Sequence, residues 1–176
     1  MKEKSEIDEL FFRLMGYYPT KAGQAYEMIS AAALGIVKAQ IAEHNKFMKG
    51  ESGGRPYQLD GLLNGNIMVE SKDYTLDDKK VGRPDLQKLQ GALTDLPQIK
   101  EGIFTSATNY SKDAIKYAEG TEINDLQKKI TTVDVRPSTV DDEKGRIIVT
   151  GVIVGFFAKA IIKTGVIKRQ REKYNF

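Results

Sequence analysis

Asp60, Glu70 and Lys72 are the residues of this chain whose types and spacing could do chemistry together. They lie in the stretch YQLDGLLNGNIMVESK, residues 57–72. Polar and apolar residues alternate over Tyr57–Leu63 and again over Ile67–Lys72, the pattern of half-buried strands. Asn64-Gly65-Asn66 between them is hairpin-turn chemistry, because Asn and Gly accept positive φ cheaply. A two-residue loop would pair Asp60 with Val69 and Glu70 with Leu59, mixing charge and apolar surface on both faces. A three-residue loop puts Asp60 opposite Glu70. One face then carries Gln58, Asp60, Leu62, Met68, Glu70 and Lys72. The other carries Tyr57, Leu59, Leu63, Ile67 and Val69 and can pack on a core, so the pattern favours this register. Two carboxylates facing one another across strands repel unless a cation sits between them or one is protonated. With Lys72 beside them, they form the arrangement that a divalent metal and an activated water need. The same three side chains also read as a salt-bridge cluster on a solvated face.

The elements that must position this hairpin follow from periodicity and caps. Ser5 reads as an N-cap with Asp8 in the capping-box position; Ile7, Leu10, Phe11, Leu14 and Met15 follow at helical spacing, and Gly16 ends the helix. Thr20 can cap a second helix over residues 20–47, whose AAALG run is small enough to lie close against a sheet, with a break expected near Gly23 or Gly35. Residues 49–55 form a loop into the hairpin, and the polar segment DYTLDDKKVGR leads out of it. Pro84 starts a helix over residues 84–93. GIFTS, residues 102–106, reads as a buried strand, and SKDAIKYAEG as a helix ending at Gly120. This alternation is of the α/β kind. Strand-like pieces occupy residues 129–176, ending in the basic run KRQREK.

Other candidates carry less specific signals. Glu27, flanked by Tyr26, Met28 and Ile29, is either a solvated helix acid or an acid pointed at the hairpin face. His44 is the only histidine; beside Glu43, Asn45 and Lys46 it reads as an exposed surface residue. Gln87 and Gln90 lie near the hairpin face or are ordinary helix surface.

Composition narrows the classes. A chain of 176 residues with 40% apolar and 29% charged content fits one soluble globular domain. The absence of cysteine excludes disulfides and thiolate metal sites. A net charge of +3 permits a nucleic-acid partner without demanding one. The N-terminus carries acids and lacks an apolar h-region, so no signal peptide is expected. The apolar run at residues 147–162 contains Lys159 and reads as buried strand before membrane helix. No membrane partner and a cytoplasmic location are expected.

An acid on one strand followed by Glu70-Ser71-Lys72 on the next resembles the PD-(D/E)xK nuclease signature. VGRPDLQKLQGAL at residues 81–93 and KEGIFTSATNYSKDAIKYAEG at residues 100–120 are similar to the Mrr-type restriction endonuclease catalytic domain. The likeness covers residues 20–120; many such domains have Gln where this chain has Glu70. It implies an α/β restriction-endonuclease-like core, a central mixed β-sheet flanked by helices, with a β-rich C-terminal extension at residues 129–176. It also implies a Mg2+-dependent DNA endonuclease of restriction or defence type, with Mn2+ as an alternative ion, leaving 3′-hydroxyl and 5′-phosphate ends. Asp60 and Glu70 would ligate the metal with the backbone carbonyl of Ser71. Lys72 would orient or help deprotonate water, Glu27 would serve as a second-shell or second-metal acid, and Gln87, before Gln90, would steady water or phosphate. A Holliday-junction resolvase and a non-catalytic DNA-binding module are the alternatives. Cutting two strands needs two sites, so a homodimer is expected, with residues 147–157 as its interface.

Overall fold

The computed structural model describes residues 3–123, 127–137 and 147–149. Six strands form one mixed sheet in chain order: β1 (Ala42–Met48), β2 (Tyr57–Leu63), β3 (Ile67–Lys72), β4 (Glu101–Ser106), β5 (Ile130–Pro137) and β6 (Ile147–Val149). β1, β2 and β3 pair antiparallel; from β3 onward the pairings are parallel. The expected α/β class with a central mixed sheet is what the chain adopts.

Helices cover both faces. α1 (Glu6–Met15) starts from the capping box of Ser5 and Asp8 and ends at Gly16 in the left-handed region, as its sequence signals. α2 (Gln24–Lys38) lies across β1, β2 and β3, where Ala32 and Leu34 pack with Leu63, Ile67, Val69 and Ile103. On the opposite face, α3 (Arg83–Asp95) and α4 (Lys112–Ile123) bury Leu86, Leu89, Leu93, Ala114 and Ala118 against Leu62, Met68 and Phe104. α3 and α4 are the crossovers that join parallel strands β3 to β4 and β4 to β5.

Three expectations need correction here. The helix expected over residues 20–47 is shorter: Gly23, not Thr20, precedes α2, and the chain leaves the helix at Ala39 with φ 57°. Asn64 of the hairpin turn then fixes the following segment, accepting the Ile41 N–H on Oδ1 and donating its own N–H to the Ile41 carbonyl. Residues 42–48 thereby become an edge strand, a tertiary outcome that helix propensity does not encode. The helix expected to stop at Gly120 runs on to Ile123. The hairpin has no solvated face either, since Leu62 and Met68 are as buried as Leu63 and Val69. The strands expected beyond residue 149, and most of the expected dimer interface, lie outside the described residues.

The small-residue run of α2 has a direct counterpart on the sheet. Gly61 of β2 sits where a Cβ would lie 3.1 Å from Val69 Cβ and 3.2 Å from Ala31 Cβ. Both neighbours are fixed to backbone and cannot rotate away. Gly61→Ala should therefore force α2 off the sheet and lower unfolding stability by about 1–3 kcal/mol. A urea titration checks this, and a variant as stable as the parent would show that α2 can retreat freely.

Candidate active site

The hairpin has the three-residue-loop register: Leu63 pairs with Ile67, Leu62 with Met68 and Gly61 with Val69. Asp60 and Glu70 are the next pair outward in this register, and the ladder stops before them. β1 is disturbed at the same level. Its pairing with β2 passes over Asn45, the residue facing Asp60, and Asn45 takes φ 55°; Asn tolerates this left-handed region better than most residues. The alternation of β2 loses step there, so Leu59 packs with Leu62 and Met68 on the α3 side rather than with Leu63 and Val69 as expected.

Where the ladder stops, a side chain takes over. Asp60 is buried, and its Oδ2 accepts the backbone N–H of Ser71 at 2.8 Å. The donor would otherwise lack a partner on the β2 side, which makes the carboxylate the terminus of the sheet pairing. Glu70 and Lys72 form an ion pair whose charges both act on Asp60, Lys72 Nζ donating to Glu70 Oε1 at 2.6 Å. Behind them the Thr105 hydroxyl donates to Ser71 Oγ at 2.8 Å and ties β3 to β4.

The electrostatics are lopsided. Burial, then the charges of Glu70 and Glu27, push the Asp60 carboxyl up from an ordinary value of 3.8 to about 7, against the lowering effect of the Ser71 N–H and Lys72. For Lys72, burial disfavours the charged form, but the charge and hydrogen bond of Glu70, with Asp60 beyond, outweigh it and raise the pKa. The lysine is therefore a firmly held ammonium.

Glu27 belongs to this group: it stands in the first turn of α2, and its charge reaches Asp60. His44 corrects the sequence reading. It is no exposed surface residue; its side chain is 9% exposed and its Nε2 lies 3.2 Å from Glu27 Oε2. The sequence carries no local signal for this contact, because the four polar residues Glu43–Lys46 of AEHNKFM break any strand alternation. The two glutamines of α3 differ: Gln87 is exposed, whereas Gln90 is buried with its Oε1 lacking a hydrogen-bond partner. The start of α3 adjoins the site through Tyr74, whose hydroxyl donates to Asp85 Oδ1 at 3.1 Å. Past the end of β3, where the Ala107 N–H donates to the Lys72 carbonyl, a cavity of about 400 Å³ opens between Lys4 and Arg136.

Among the described residues no three His, Asp or Glu side chains converge closely enough to hold a metal ion by themselves. Side-chain oxygen at this site comes from carboxylates and hydroxyls, the hard donors that suit Mg2+ or Mn2+. The buried Asp60, with its raised proton affinity, is also a place where a cation relieves repulsion. The donors thus fit a divalent ion whose coordination is completed by backbone oxygen and water.

Comparison with known proteins shows the family. The Mrr_cat restriction endonuclease family matches residues 37–134, more than half of the chain. That span holds Asp60, Glu70, Lys72 and both α3 glutamines, and begins after Glu27. The crystal structure of AF1548, a protein of unknown function, shares the fold, with a TM-score of 0.50 and 15% identity over 76% of this chain and 67% of that one. No curated protein matches. Among the described residues no helix is long and apolar enough to cross a membrane.

The raised pKa of Asp60 has a thermodynamic signature. The folded chain keeps this proton after the unfolded chain has lost it, so the contribution to stability falls as pH rises from about 3.8 to about 7 and then stays low. Asp60→Asn keeps an acceptor for the Ser71 N–H and removes the charge. It should raise stability at pH 8 by on the order of 2–4 kcal/mol relative to the parent, with the gain fading toward pH 4. Thermal melts across this range test the sign; a gain that grows on acidification would refute the assignment.

Proposed function

The chain belongs to the Mrr-type restriction endonuclease family, and on that premise we propose that it is a divalent-metal-dependent DNA endonuclease whose centre is Asp60, Glu70 and Lys72. The observation that carries the reading is the buried Asp60 carboxylate at the point where β2 leaves β3, beside Glu70 and a charged Lys72. A plain surface salt bridge would not bury an acid against two others.

The residues divide the work by position. In an extended strand the N–H and C=O of one residue point the same way. Ser71 therefore turns its carbonyl toward Asp60, on the side where the ladder has ended. Asp60, Glu70 and this carbonyl would hold the ion, with Glu27 as a further acid at the α2 side. Such an ion, when bound, would supply positive charge at the scissile phosphate and lower the pKa of water there. Lys72, kept protonated by Glu70, orients the attacking water and stabilises charge on the phosphate. An ammonium so held is a poor proton acceptor, so it does not serve as the base. Gln87, exposed on α3, would steady the phosphate or water. Lys4 and Arg136 flank the cavity beyond β3 and favour a phosphate backbone there. A product with 3′-hydroxyl and 5′-phosphate ends, Mg2+ before Mn2+, a homodimer for cutting both strands and a cytoplasmic place of action complete the proposal.

Purified protein should cut linear duplex DNA with Mg2+, stop on chelation and resume when the ion is restored. Lys72→Ala should lower the rate by about 10²–10³-fold while leaving the melting temperature and DNA binding in place. Cutting confined to a four-way junction would replace the restriction reading with that of a resolvase. Undiminished cutting by Lys72→Ala would remove the lysine from the site, and binding without any cutting would leave a DNA-binding module.

A further inference from the structure

We propose that His44 is a positioning residue that holds Glu27 toward the acid pair, an inference that rests on the nuclease reading. His44 pairs with Gly61 across β1 and β2, so it stands one residue from Asp60 in the register. Its imidazole is 9% exposed and Glu27 19%, with Nε2 and Oε2 3.2 Å apart. Glu27 occupies the first turn of α2, where a long side chain has several rotamers open to it. The charges of Asp60 and Glu70 would drive an unheld carboxylate outward. The imidazole opposes this drift by donating Nε2–H to one oxygen of Glu27. The Nε2–H of the imidazole is the donor that this bond needs, and a carboxylate oxygen is its acceptor.

The placement also explains why β1 must be a strand. On a continued α2 helix, His44 would lie beyond the C-terminal end, several turns from Glu27 in the first turn. The reversal at Ala39 and the return along β1 bring the two side chains together. His44 touches Glu27 and not the hairpin acids, so its action on the reaction runs through Glu27.

The test is a double-mutant cycle in the full chain, with Mg2+-dependent cutting of linear duplex DNA as the readout. His44→Leu should cost roughly 10–100-fold in rate at limiting Mg2+ and raise the Mg2+ concentration for half-maximal cutting, with duplex affinity in chelator unchanged. In a Glu27→Gln background the same change should cost nothing further, because the two residues act as one unit. His44→Gln, which keeps an amide donor near the Nε2 position, should recover most of the loss. Multiplying losses, or a His44→Leu protein as active as the parent, would overturn the inference. If His44→Leu fails to fold, His44→Gln decides: folded and active supports the role, folded and inactive defeats it. Glu27→Gln with full activity would end the inference while leaving Asp60, Glu70 and Lys72 as the centre. A parent chain that cuts no DNA would end both.

Discussion

One hydrogen bond organises this protein: the buried Asp60 carboxylate accepting the Ser71 N–H where the ladder between β2 and β3 runs out. A backbone donor left without a partner inside a fold is expensive, and a buried carboxylate without compensation is more so. The two problems are set against each other, and only one is solved completely. The N–H is satisfied, while the carboxylate still faces Glu70 and Glu27 and binds its proton too tightly. A group held in that condition is poised to accept a cation in place of a proton. Perturbation of this kind, by burial together with specific charged neighbours, clusters at functional sites, which is why it supports the proposed reading.

The rest of the fold keeps that bond in place. α2 can approach β2 closely because Ala31 meets Gly61 with nothing between them. α3 and α4 press Leu86, Leu89 and Leu93 on the other face, so β3 cannot slide. The hydroxyl of Thr105 fastens Ser71 to β4, and Tyr26 of α2 donates to the Val135 carbonyl of β5. Ala39, Asn64 and Asp78 take the left-handed region in turns, whereas Asn45 takes it within the edge strand, opposite Asp60. That local irregularity lets β2 lose step and turn its acid inward, an instance of backbone strain gathered at a chemical site rather than spread through the sheet.

Membership of the restriction endonuclease family and likeness to AF1548 carry different weight. The family match spans the hairpin and α3 through to β5, and therefore the residues that could do chemistry. The likeness at 15% identity speaks to architecture alone, since one backbone arrangement supports many activities. On the proposed reading, the link from this chain's own residues to phosphodiester chemistry is Asp60 of β2 with Glu70 and Lys72 of β3.

Much of this was legible along the chain because it depends on neighbours in sequence. The Ser5–Asp8 capping box, the Asn-Gly-Asn turn, the hairpin register and the α3–β4–α4 alternation are local patterns, and residues 60, 70 and 72 stand out by type and spacing. What was not legible depends on long-range contacts. The β1 strand exists because Asn64 captures Ile41, and the His44–Glu27 bond exists because α2 and β1 fold back on each other. The burial of both hairpin faces needs two helical layers that no alternation within residues 57–72 could announce. The sequence by itself therefore determined which side chains could hold a cation and donate charge to a phosphate. Only the tertiary structure decided that Asp60 is buried with an elevated pKa and that His44 meets Glu27, because desolvation and charge proximity arise only once distant segments pack together.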